Sequence, residues 1–172
     1  MTEKTFLYQS NGNKIDKGSI SVQSPSNIAL VKYWGKKPVQ IPANSSISFT
    51  LKNCYTQTTV LFEKSKEFQI NLSVEGEKNL AFLPKIEQFF KRIKDYSPYI
   101  FNYNLQIDTL NTFPHSSGIA SSASGFSALA YAVVQLEKQI SNMNEKEAVT
   151  KASFLSRLGS GSACRSLFGP LA

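Results

Sequence analysis

Three short segments of this sequence hold the residue types needed to grip phosphate or carboxylate groups. The first is Lys32-Tyr33-Trp34-Gly35-Lys36-Lys37, in which two lysines four apart flank a tyrosine, a glycine and the chain's one tryptophan. Ammonium groups so placed offer point charges and rotatable donors to an anion. The second runs from Phe113 through Pro114-His115-Ser116-Ser117-Gly118-Ile119-Ala120-Ser121-Ser122 to Ala123. Small residues there let the backbone approach a bulky anion. A helix starting inside the segment would aim free N–H groups and the positive end of its dipole at that anion. Ser121 and Ser122 add hydroxyls for phosphate oxygens or a Mg²⁺ ion. The segment lacks the Gly-Lys-Ser/Thr ending of a Walker loop. A close-packed helix start with no ligand is the competing reading. The third segment is Gly159-Ser160-Gly161-Ser162-Ala163-Cys164-Arg165-Ser166. Its glycines expose backbone N–H groups, its serines donate, and Arg165 offers a bidentate grip. Three separate anion-binding segments suit a small molecule or nucleotide carrying several phosphates.

The elements that must position these segments are legible from periodicity. Residues 1–18 read as a polar extension or edge element, and 19–172 as one domain without linker or repeat. Short strands are expected at 19–22, 46–51, 56–62 and 67–74, with a turn at Glu75-Gly76-Glu77. From Pro84, residues Ile86, Phe89, Phe90 and Ile93 recur at helical spacing, and Ser97-Pro98 ends the pattern. Lys85, Glu87, Lys91 and Lys94 fall on the opposite, solvated side. Apolar alternation over Tyr99–Leu110 predicts another strand. A small-residue helix reaches about Glu137, and a second covers Glu145 to Leu158, with Ala148, Ala152 and Leu155 on one face. The class is α+β, a mixed or antiparallel sheet packed against helices.

Composition narrows the function classes. With 172 residues, 41% apolar and 18% charged, the chain can bury one core and is not of disordered type. The net charge of +7 admits nucleic acid, an anionic surface or a polyanionic small substrate. The basic residues are dispersed, with no arginine-rich tract and no aromatic-basic RNA motif, so nucleic acid is not the expected partner. No apolar run approaches the ~20 residues of a membrane span, and the start lacks a secretion signal. A cytoplasmic protein is expected. Cys54 and Cys164 have no metal-type spacing and predict no disulfide framework. Cys54 reads as a small buried hydrophobe after a strand. The lone His115, beside a proline, reads as a loop residue rather than an acid–base group.

At the three segments the chain resembles the diphosphomevalonate decarboxylases of the GHMP kinase superfamily. Asn27-Ile28-Ala29-Leu30-Val31-Lys32-Tyr33-Trp34-Gly35-Lys36 is similar to that family's opening motif, and Pro42-Ala43-Asn44-Ser45-Ser46-Ile47-Ser48 to the segment after it. Pro114–Ala123 resembles its phosphate loop, departing at His115-Ser116-Ser117, and Gly159–Gly169 resembles its Gly-Ser-Gly-Ser-Ala signature. The resemblance runs from about Ser24 to the last residue. It implies a GHMP-type amino-terminal domain whose carboxy-terminal domain is absent. It also implies decarboxylation of diphosphomevalonate to isopentenyl diphosphate in the mevalonate pathway, with Mg-ATP consumed. Thr109, Asn111, Gly118, Ala120, Ser121 and Ser122 would then bind ATP, with Mg²⁺ at Ser121 or Ser122. Tyr33, Lys36, Ser160, Ser162 and Arg165 would hold the substrate. Asn27 and Lys32 would sit near its reacting hydroxyl and carboxylate.

The family's catalytic aspartate lies in the second domain. Among the twelve carboxylates of this chain none is inside an anion segment, and Asp108 alone is near one. Phosphoryl transfer needs a carboxylate to orient the hydroxyl or hold metal, so the chain alone is expected to be inactive. The face meant for the second domain would favour dimerisation or aggregation. A related mevalonate or phosphomevalonate kinase or decarboxylase, and a non-catalytic nucleotide-binding fragment, are the rival readings.

Overall fold

The computed structural model describes residues 2–32, 34–114 and 119–172, with Lys36 and Val39 described in the backbone alone. A five-stranded sheet runs in the order β1-β4-β7-β5-β6, with β1 at Lys17–Val31, β4 at Ile47–Lys64, β5 at Ile70–Val74, β6 at Glu77–Lys78 and β7 at Tyr103–Asn111. All pairs are antiparallel except β5 with β7. A small ribbon, β2 (Lys36–Lys37) with β3 (Ile41–Pro42), projects from the lysine segment. Helices α1 (Leu83–Ile93), α2 (Ser121–Ile140) and α3 (Glu145–Gly159) complete the domain. The mixed sheet and helices are the α+β class read from the sequence.

The core joins sheet and helices where periodicity placed it. Phe89, Phe90 and Ile93 of α1, and Ala148, Ala152 and Leu155 of α3, are buried, with Leu105 and Ile107 of β7 beneath. Lys85, Glu87, Lys91 and Lys94 are exposed, as the helical pattern requires. Asn144 caps α3 by accepting from the Glu147 N–H, while the Glu147 carboxylate accepts from the Asn144 N–H. Before β1, Phe6 stacks on Phe154 at 4.3 Å and the Tyr103 hydroxyl donates to Ile15 O at 2.8 Å. None of the helices among the described residues is long and apolar enough to cross a membrane.

Three expectations need correction. The strand expected at 19–22 is part of one of 15 residues, and those expected at 46–51 and 56–62 are parts of a single strand of 18. Serines and threonines inside β1 and β4 broke the apolar alternation, yet Ser24, Ser26, Thr56 and Thr58 among them are buried and hydrogen-bonded. The strand expected from Tyr99 begins at Tyr103, because Pro98–Asn102 form a 3-10 turn that buries Tyr99 and Ile100. Cys54 lies within β4, half-buried rather than buried.

Candidate functional site

The middle of β1 is the rivet on which the three segments meet. Its register against β4 shifts between Pro25 and Asn27, an irregularity of the kind that re-aims side chains. Ser24, Ser26 and Asn27 are all buried in consequence. The Ser24 hydroxyl donates to the hydroxyl of Ser127 on α2 at 2.6 Å and lies 3.3 Å from Ser166 O. Ser26 donates to Ala120 O at 3.4 Å. The Asn27 amide nitrogen donates to the Ser166 hydroxyl at 2.7 Å and to Ser162 O at 3.3 Å. One strand thus ties the lysine segment, the helix start and the Gly-Ser-Gly-Ser loop together.

The second segment behaves as its small residues suggested. Helix α2 begins at Ser121, and Ala120 before it has no side chain able to cap the first turn. The Ser121 N–H donates to Ile119 O at 2.7 Å and the Ala123 N–H to Ala120 O at 3.0 Å, so the turn offers an anion chiefly the positive end of the helix dipole. Behind it runs a polar chain: the Thr56 hydroxyl donates to Asn111 Oδ1 at 2.6 Å and lies 2.6 Å from the Ser124 hydroxyl, which also lies 3.2 Å from Ser121 O. The Thr58 and Thr109 hydroxyls pair at 3.0 Å. These groups open on a cleft of about 130 Å³ between α1 and α2. Thr109, Asn111, Ser121 and Ser122 all line it, with apolar walls from Leu72, Ile107 and Phe126. Four of the six residues assigned to nucleotide therefore share one cleft. Ala120 sits just before it, and Gly118 and His115 lie outside the described residues.

On the third segment, Gly159 closes α3 because nothing larger fits. A Cβ there would lie 2.3 Å from the Phe126 ring. The chain then turns through a 3-10 segment, Ala163–Leu167. Arg165 donates through Nη1 to the Ser46 hydroxyl at 2.9 Å, and its buried Nε has no partner among the described residues. Burial pushes the Cys164 thiol up, against the opposing charge of Arg165 and Arg157. It is no activated nucleophile.

The first segment is clipped by Asn44, whose Oδ1 accepts from the Trp34 N–H at 2.9 Å while Nδ2 donates to Lys32 O at 3.3 Å. Lys32 is exposed. Tyr33 and the Lys36 side chain lie outside the described residues.

No carboxylate lines the cleft among the described residues. Ile107 and Thr109 face it from β7, so strand alternation turns Asp108 to the other face. There it accepts from Gln106 at 3.1 Å. Glu137 is taken up by Lys151 at 2.6 Å. Nor do three or more His, Cys, Asp or Glu side chains converge as a metal site among the described residues.

The site is thus an α+β domain's helix-start cleft beside a serine loop closed by an arginine. The profile of the diphosphomevalonate decarboxylase-like N-terminal domain matches residues 24–172, and the chain belongs to that family. It is similar to the diphosphomevalonate decarboxylase of Candida albicans, 38% identical over 164 residues that cover 88% of this chain and 43% of that protein. The mevalonate diphosphate decarboxylase structure from Staphylococcus aureus superposes with a TM-score of 0.76 at 35% identity, over 90% of this chain and 45% of that one. A structure of MDDEF in complex with MVAPP, AMPPCP and magnesium gives 0.74 at 35% identity, over 89% and 45%. The chain therefore spans less than half the length of these relatives.

Sequence reasoning missed the buried hydroxyls Ser24, Ser26, Thr56, Ser124 and Ser127. Their signal was faint: serines and threonines inside otherwise strand- and helix-like runs.

Proposed function

We propose that this chain is the nucleotide- and substrate-holding part of an ATP-dependent diphosphomevalonate decarboxylase. The observation that carries the reading is the junction at β1, where Asn27 holds Ser162 and Ser166 while Ser26 holds Ala120. It brings the phosphate-type helix start and the arginine loop to one place, as a reaction between two phosphorylated partners requires.

ATP phosphates would take the uncapped first turn of α2 with Ser121 and Ser122, beside Ala120 and Gly118. Thr109 and Asn111 would line the nucleotide side. The donor set fits such a group: the Ser121 and Ser122 hydroxyls and the positive end of the α2 dipole on one side of the cleft, apolar walls on the other. Mg²⁺ would arrive on the nucleotide and be met by the Ser121 or Ser122 hydroxyl, and it supplies charge neutralisation on the transferring phosphoryl. Arg165, whose Nε has no partner among the described residues, would hold an anionic end of diphosphomevalonate with Ser160, Ser162, Tyr33 and Lys36. Lys32, exposed at the end of β1, would face the carboxylate that leaves as CO₂, and Asn27 would position the loop opposite.

The base that orients the tertiary hydroxyl would come from sequence matching the remainder of the relatives. Val31, Ile47 and Leu171 are exposed, and the pairings Val31–Ile47 and Phe49–Leu171 set them side by side. That apolar face is where the remainder would pack. We place the protein in the cytoplasm and assign it neither nucleic acid nor membrane as partner. The domain proper would be residues 19–172, with 1–18 as an extension, and self-association through the same face is expected while it stays uncovered.

The test is release of ADP and CO₂ from Mg-ATP and diphosphomevalonate, with mevalonate and its monophosphate as rival substrates. No release by this chain, restored on adding a relative's carboxy-terminal part, supports the reading. Turnover of mevalonate or its monophosphate instead would overturn it.

A further inference from the structure

A second cavity opens at the far end of α2 from the cleft already described. It measures about 620 Å³, within the about 300–1,000 Å³ of pockets that enclose a small molecule. The two share no lining residue, and the 20 residues of α2 put about 30 Å between them. One wall is the segment before β1, from Thr5 to Asn11. The other is the end of α2, the turn after it and the first half of α3. The family profile begins at residue 24, so the first wall lies outside the matched residues. That wall is held in place. Phe6 stacks on Phe154, the Tyr96 hydroxyl donates to Glu3 Oε2 at 3.4 Å, and Asn11 Nδ2 donates to Asn142 Oδ1 at 3.4 Å.

The lining selects one kind of ligand. Glu137 and Lys151 line the cavity although both are buried. Lys151 takes one carboxylate oxygen of Glu137, and the other, Oε2, has no partner among the described residues. A buried acceptor in that state calls for a donor from outside the chain. The charges of the lining cancel, Glu137 and Glu147 against Lys146 and Lys151, so neither an anion nor a cation recovers the cost of leaving water. Hydroxyls and amides make up most of the rest. The Ser10 and Ser141 hydroxyls accept from the N–H groups of Gly12 and Met143, at 3.2 and 3.4 Å, which leaves each O–H to donate. A ligand hydroxyl both donates and accepts, and so answers both kinds of group. We propose that this cavity is a binding site for an uncharged polyhydroxy molecule of monosaccharide size, with one hydroxyl donating to Glu137 Oε2 and others accepting from Ser10 and Ser141. Phe6 and Met143 offer apolar contact to its C–H face.

Amide NMR of the whole nitrogen-labelled chain, titrated with myo-inositol, tests this, with inositol hexamethyl ether, ethylammonium and inorganic phosphate as controls. Inositol should give saturable shifts confined to residues 5–12 and 137–151, with a dissociation constant on the order of millimolar. Glu137→Gln should weaken binding about tenfold by removing the charged acceptor. Thr150→Trp fills the cavity from α3, where the Thr150 hydroxyl bonds to its own helix at Lys146 O, and should abolish binding. Circular dichroism checks that each variant folds, and Thr150→Trp carries the test if Glu137→Gln does not. No saturable shift with inositol in the wild type means that water alone fills the cavity, and overturns the proposal. So do equal binding of the methyl ether, tighter binding of ethylammonium or phosphate, and inositol affinity unchanged in a folded Glu137→Gln or Thr150→Trp.

Discussion

Replacing Lys151 by methionine should be among the most damaging single changes in this chain. Its ammonium donates to Glu137 Oε1 at 2.6 Å and to Tyr96 O at 2.8 Å, and the two side chains are 4% and 2% exposed. Burial raises Glu137, with Lys151 opposing that shift, and burial lowers Lys151. Glu137 Oε2 has no partner among the described residues, since the neighbouring Tyr99 hydroxyl donates its hydrogen to Val133 O. Lysine is therefore the carboxylate's main support. Removing one partner of a buried pair costs about 3–5 kcal/mol, a large part of the about 5–15 kcal/mol that stabilises a domain. The cost depends on pH. A carboxyl whose folded pKa lies above its unfolded value near 4.5 loses stability as pH rises through the folded value. Lys151→Met should raise Glu137 further, so its deficit should be largest near pH 7 and smaller near pH 5. Lys151→Met with Glu137→Leu removes both charges and should return to within about 1 kcal/mol of wild type. Urea unfolding at the two pH values measures all of this. A single-mutant cost below about 1 kcal/mol at pH 7, or a double mutant no better than the single, would refute the reasoning. The pair joins α2 to α3, whose other ends carry Ser121 and the Gly159 turn, so ATP affinity should fall with stability.

Gly159→Ala should destabilise by about 1–3 kcal/mol through overpacking, because its Cβ would meet the Phe126 ring at 2.3 Å. Phe126 lines the cleft proposed for the nucleotide, so calorimetry should show weaker ATP binding than the stability loss explains. Asn27→Ala strips donors from Ser162 O and the Ser166 hydroxyl and should cost about 1–3 kcal/mol. Amide exchange should then quicken at 160–167 before the rest of the domain, and uniform exchange would refute Asn27 as the strut. In a Cys54→Ser background, iodoacetamide should label Cys164 slowly, with a rate still climbing above pH 9, since burial holds the thiol above its ordinary value of 9.0. A rate that levels off below pH 8 would contradict this.

The sequence by itself determined the class of elements, the buried faces of α1 and α3, and the start of a helix inside the second small-residue segment. Each of these follows from residues near one another in the chain: a 3.6-residue period, a stop at glycine, small residues before a helix. It determined the family too, since Asn27–Lys36 and Gly159–Gly169 are contiguous motifs. It also foretold that no carboxylate stands among the anion segments, which needs composition and position alone. Tertiary structure decided the rest, because the remaining facts depend on partners far apart in sequence. The length of β1 and β4 was hidden by inward serines and threonines, whose burial is tolerable only where a hydroxyl on another element answers them. Ser24 meets Ser127 and Thr56 meets Ser124 across 103 and 68 residues. Glu137 looked like the end of a helix and is instead a buried charge, because Lys151 on the next helix arrives beside it. Lys85 looked like one more solvated cation, and it lines the cleft with Ser121 only because the fold brings the starts of α1 and α2 together. Periodicity says which way a side chain points from its own element. What it meets there is fixed by the packing of elements that no local pattern contains.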